Sequence, residues 1–193
     1  MTPRAGRWLE RGAIVLVSLA VSIGIIALLS GGLAGGRDDP GISVGTGTVP
    51  GRAYPDQGDR HLTAGEPRPR YDSDPPTSGA HRPVPVTRNG AGISDDQLLQ
   101  ALSLGNVAFL YSSTAAPRGL QAVADQVAPR FTPALAADGQ TVILGRRPGL
   151  STITAVAWGH MLRSDDATQL RNFAEHWLGR GASARTTSIV GNG

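Results

Sequence analysis

The chain has 193 residues, room for one modest domain plus appendages, and a formal net charge of +3 spread thinly along it. All 18 basic side chains are arginine, and no basic stripe is interleaved with aromatic residues, so the sequence lacks the footprint of a nucleic-acid binder. With no cysteine, disulfide frameworks, thiolate metal sites, iron–sulfur clusters and cysteine nucleophiles are excluded together.

Residues 12–34 carry no charge and are apolar over most of their length, which meets the roughly 20 residues needed to cross a hydrocarbon core of about 30 Å. A helix is expected there, because backbone groups in lipid must pair internally. Arg4, Arg7 and Arg11 precede the run, with Trp8 at the interface, whereas Arg37 beyond it is followed at once by Asp38 and Asp39. That asymmetry predicts a single-pass protein of the cytoplasmic membrane, with residues 1–11 inside and the rest of the chain outside. A cleavable signal ending near Gly32-Leu33-Ala34 is the other reading, and it exports the same domain.

Residues 35–60 are dense in Gly, Pro, Asp and Arg and read as a flexible linker. The extracytoplasmic domain is expected over 61–179, with a disordered tail over 180–193. Inside the domain, Ser94 followed by Gln97 is a capping-box signature. It opens a helix that buries Leu98, Ala101 and Leu102 and stops at Gly105. Residues 106–111 predict a buried strand. Residues 117–130 predict a helix with Leu120, Val123, Ala124 and Val127 inward. Strands follow over 141–144 and 153–158, separated by a turn at Arg147-Pro148-Gly149. Ser164 or Asp165 caps a last helix whose Leu170, Phe173, Ala174 and Trp177 form an apolar stripe. A strand–helix–strand unit implies a parallel pair, and the short turn implies an antiparallel third strand. The expected fold is α+β or α/β: a mixed sheet of three to four strands packed with about three helices.

The stretch from Tyr71 to His81, with Pro75-Pro76-Thr77-Ser78-Gly79 at its centre, carries the most information. Two prolines fix successive φ angles and Gly79 permits a turn that a Cβ would forbid. Thr77, Ser78 and His81 are therefore candidate ligand contacts on a rigid loop, unless the hydroxyls only satisfy the loop's own backbone. This segment, preceded by His61, resembles the bacterial membrane-protein family known as domain of unknown function 3105 (DUF3105). The helix-to-strand junction over 98–111 and the Thr154-Ala155-Val156-Ala157-Trp158-Gly159 piece support the likeness, which covers roughly residues 58 to 178. Members of that family typically carry a His-Ala-Leu-Glu-His-Gly run where this chain has Gln100-Ala101-Leu102-Ser103-Leu104-Gly105, and an Arg where it has His160. The resemblance thus implies a divergent member that keeps His61 and His81 and lacks the helical pair.

Two functions follow. One is a non-catalytic module that contacts another protein of the cell envelope. The alternative is a transition-metal or small-ligand domain using His61, His81 and His160, a set of imidazoles suited to Cu or Zn. A hydrolase built on Ser78, His81 and Asp74 is disfavoured, because residues so close on one loop rarely reach triad geometry. Asp95-Asp96 and Asp165-Asp166 are accounted for as helix starts.

Overall fold

The structure is a computed structural model and describes residues 49–182. Its sheet contains β1 (Arg52–Ala53), β2 (Val107–Tyr111), β3 (Val142–Arg146), β4 (Thr154–Ala157) and β5 (His160–Arg163). The helices are α1 (Asp95–Ser103), α2 (Leu120–Val127), α3 (Pro133–Ala137) and α4 (Ala167–Trp177). The membrane segment expected over 12–34 and most of the tail lie outside the described residues. Among the described residues no helix is long and apolar enough to cross a membrane.

The strands run in the order β1-β5-β4-β2-β3. β2 and β3 are parallel, with Val107 opposite Val142, as a strand–helix–strand unit requires. β4 is antiparallel, as expected, but it pairs with β2 and not with the strand that precedes it, Phe109 lying opposite Ala155. β2 is thereby central and buried along its whole length, which is why it reads as a continuous apolar run.

Alternation along β2 and β4 divides the core. Val107, Phe109, Tyr111, Ala155 and Ala157 face α2 and α4, where Leu120, Leu170, Phe173 and Trp177 close one layer. Ala108, Leu110, Val156 and Trp158 face the other way and meet Leu98, Leu99 and Leu102 of α1. The capping box of α1 is complete: Ser94 accepts from the Gln97 backbone while the Gln97 side chain accepts from the Ser94 backbone. Where α1, α3 and β3 meet, Asn106 is 1 % exposed. Its side chain donates to the carbonyls of Ala101 and Ala136 and accepts from the Thr141 backbone.

Sheet and helices both exceed the expected number. β5 follows a two-residue turn at Trp158-Gly159, where Gly159 has φ +70°. In the sequence the apolar run ends at Trp158, and a hairpin this tight leaves no mark of the strand beyond it. α2 begins at Leu120, later than the expected 117, because Gly119 at φ +83° forms its cap. α3 is one short turn capped by the Thr132 hydroxyl, below the length at which periodicity is legible. The largest correction concerns the expected linker, whose end is packed. Residues 52–53 pair with β5, Trp177 donates to the Pro50 carbonyl at 2.9 Å, and a Cβ on Gly51 would lie 2.6 Å from the Phe173 ring. Composition marks this strap as unable to build a core of its own, and it does not: it borrows one.

Candidate functional site

The strap runs on beside the proline loop and is laced to it. Tyr54 N–H donates to the Gly159 carbonyl, Gly79 N–H to Gly58, His81 N–H to Arg60, and Leu62 N–H to His81. Tyr71 closes the loop, its hydroxyl donating to the Ala80 carbonyl at 2.9 Å. Its ring fills the space into which a Cβ on Gly79 (φ +126°) would project, at 2.9 Å. Arg147 ties the same loop to α1, reaching Asp74 and Asp95 at 2.6 Å each.

Thr77 and Ser78 are fully buried. Ser78 Oγ donates to the Pro55 carbonyl at 3.1 Å and accepts from Gln57 N–H at 3.0 Å. Thr77 Oγ1 sits 3.3 Å from Ser73 Oγ, which also accepts the Thr77 N–H. The Ser78 hydroxyl therefore joins loop to strap, and the Thr77 hydroxyl is engaged within the loop.

His81 is also fully buried. Its Nδ1 lies 2.9 Å from the Gly79 carbonyl, which can only accept, so Nδ1 is the donor, and in the neutral imidazole Nε2 carries the lone pair. That Nε2 is buried and has no hydrogen-bond partner. The exposed His61 is its neighbour across an isolated parallel bridge, with ring centroids 5.3 Å apart at 74°. Trp158 approaches His81 from another side, centroids 6.4 Å apart, and sends its own N–H to Asp56.

His160 is not brought to this pair. It stands opposite Ala157 on the sheet face that meets α2 and α4, and its ring stacks on Trp177 with centroids 3.6 Å apart. The expected three-histidine set is thus split by the sheet, and no group of three or more His, Asp or Glu among the described residues is placed to hold a metal ion.

Asp96 does more than start a helix. Only 3 % exposed, it accepts from Arg68 and from the Arg82 backbone and faces the Arg82 guanidinium at 3.6 Å. The Arg68 hydrogen bonds hold its carboxyl below the usual range. Sequence spacing offered no hint, since Arg68 lies 28 residues away.

Next to this buried charge opens an apolar groove of about 250 Å³ between the 83–86 segment, α1 and α3. Pro83, Pro85, Pro133 and Ala137 form its walls, and Leu104, 43 % exposed, stands at its edge. Gln100 also lines it, and Gln100 Oε1 is buried without a partner. Gln100 and Leu104 are the two positions at which the family resemblance leads one to expect histidine. The groove was not legible in the sequence, although Leu104, apolar yet off the buried stripe of α1, was the available signal.

No curated protein and no solved structure matches the chain. The family model described as Protein of unknown function (DUF3105) matches residues 63–186, a span that takes in the proline loop, His81, the groove and the whole of the sheet except β1. The chain therefore belongs to the DUF3105 family.

Proposed function

We propose that the protein is a membrane-anchored, extracytoplasmic module that performs no catalysis and grips an extended apolar segment of another cell-envelope protein in the groove beside α1. The observation that carries this reading is a concave apolar surface lined by three prolines and Leu104, with one buried acceptor, Gln100 Oε1, lacking a donor. An extended peptide supplies what such a surface lacks: apolar side chains for its walls and, once the Gln100 side chain turns outward, a backbone N–H for the orphaned oxygen. A folded partner whose backbone is already paired supplies only the first. The apolar run over 12–34 with its arginine flank supports anchoring with the domain outside. The engagement of Ser78 by Pro55 and Gln57, and of His81 Nδ1 by Gly79, supports the absence of a serine–histidine nucleophile.

The test is in-cell photocrosslinking from a benzophenone side chain at position 104, followed by mapping of the adduct. We expect adducts on an extended, apolar segment of one envelope protein, and their loss when Ala137→Asp puts a charge on the facing wall. Adducts confined to lipid, or undiminished by the charge, refute the reading.

A further inference from the structure

We propose that His81 and His61 form a metal-binding pair for a borderline divalent transition ion, copper(II) foremost and zinc(II) behind it. The inference is independent of the peptide groove.

The starting point is an atom with no partner. His81 Nε2 is buried and carries a lone pair, since Nδ1 is committed to the Gly79 carbonyl. Buried acceptors in folded proteins almost always have a donor or an ion. The neighbouring donor that could have served, the Trp158 indole N–H, is directed to Asp56 at 3.2 Å. A backbone carbonyl on the far nitrogen is also the arrangement that fixes the tautomer of a metal-binding imidazole and raises the basicity of its free nitrogen.

The second observation is the placement of His61. The bridge that pairs the two residues holds their backbones in register, Leu62 N–H donating to the His81 carbonyl at 2.8 Å. Their ring centroids are 5.3 Å apart. Two imidazoles bound through nitrogen at about 2.0–2.1 Å to a tetrahedral ion hold their centroids about 5 Å apart. The pair thus has nearly the separation of a tetrahedral ion such as zinc(II), and a small shift of one ring reaches the cis angle of tetragonal copper(II). His61 is exposed, so its ring can rotate to admit an ion to the buried nitrogen.

Charge and ligand type then select the ion. The nearby guanidiniums of Arg60 and Arg82 are engaged by Glu66 and Asp96. The pair offers two imidazole nitrogens and no thiolate, and its remaining coordination positions fall to water. Among divalent first-row ions such a nitrogen set binds copper(II) most tightly.

The test uses the full chain titrated with copper(II) sulfate alone and with zinc(II) chloride alone. Stoichiometry comes from calorimetry and the ligand set from electron paramagnetic resonance. We expect one copper per chain with nitrogen hyperfine splitting, and partial quenching of the tryptophan fluorescence by copper(II) that zinc(II) does not reproduce. His61→Ala, on an exposed side chain that leaves the fold intact by circular dichroism, should weaken copper binding at least tenfold. His81→Gln should abolish it, and His176→Ala should leave it unchanged. Fewer than half a copper per chain, or an affinity within threefold of wild type in His61→Ala, overturns the proposal whatever His81→Gln does to folding.

Discussion

Asn106 is the residue whose removal should cost most for its size. Its side chain joins the end of α1, the end of α3 and the approach to β3 through three hydrogen bonds of 3.0, 2.7 and 3.2 Å. The three partners are not equally dependent on it. The Ala101 carbonyl keeps a bond from the Asn106 backbone, and the Ala136 carbonyl keeps one from Gly139 N–H. The Thr141 N–H loses its acceptor. In Asn106→Ala, the orphaned N–H costs about 1–3 kcal/mol and each lost bond to a still-paired carbonyl about 0.5–1 kcal/mol, or about 3 kcal/mol in all. Asn106→Asp separates the contributions. It preserves the bond from Thr141 but turns an oxygen toward two carbonyl oxygens, so the new carboxyl is favoured in its protonated form. Its folded-state pKa must then lie above the unfolded value of about 3.9. For an acid shifted upward, the cost is small below the unfolded pKa, grows as pH rises, and levels off above the folded pKa. Urea unfolding of the full chain, followed by circular dichroism, should show the Asp variant at least about 2 kcal/mol worse relative to wild type at pH 7 than at pH 4. A pH-independent cost for Asp, or less than about 1 kcal/mol for Ala, refutes the accounting.

Asp96 should show the opposite dependence on pH. Its carboxyl is held below the unfolded value chiefly by the Arg68 hydrogen bonds, so its contribution is present above about pH 4 and is lost as pH falls through the folded pKa. Asp96→Ala should cost about 3 kcal/mol by urea unfolding at pH 7, because it strands the Arg82 N–H and takes the carboxylate from two guanidiniums, while Arg68→Ala, on a 47 % exposed side chain, leaves Asp96 its Arg82 contacts and should cost about 1–2 kcal/mol. Equal costs for the two would mean that the buried carboxylate is not the centre of the cluster. Gly79→Ala should lower stability by about 1–3 kcal/mol in thermal melts, since alanine is strained at φ +126° and its Cβ meets the Tyr71 ring. Tyr71→Ala placed in that background relieves the clash but not the backbone strain, so full recovery would contradict this origin.

What the sequence made legible follows from how far each signal reaches. The capping box at Ser94, the buried run of β2 and the apolar stripe of α4 are written in neighbouring residues, and each is found where the pattern put it. β1 is two exposed residues in a Gly- and Pro-rich stretch and exists because β5 lends it an edge. α3 is too short for a period, and Asn106 looks in the sequence like the first residue of a strand. At the candidate site, the family resemblance named His61 and His81 together, and the structure sets their rings 5.3 Å apart. His160 was not excluded, because the hairpin that sends it to the opposite face of the sheet had been missed. Thr77 and Ser78 stand out in the sequence as hydroxyls on a rigid loop; the structure buries both and engages one with Ser73 of the loop and the other with Pro55 and Gln57 of the strap.

The pairing of β1 with β5 has a consequence for biogenesis. The Pro50 carbonyl waits for an indole 127 positions further along the chain. A polypeptide that emerges from its amino end must therefore hold the strap idle until nearly all of the domain has been made, and long-range closures of this sort are slow. Until the strap docks, β5 presents an uncovered edge, and any chain cut after the strap is left with a sticky margin where a neighbour can add.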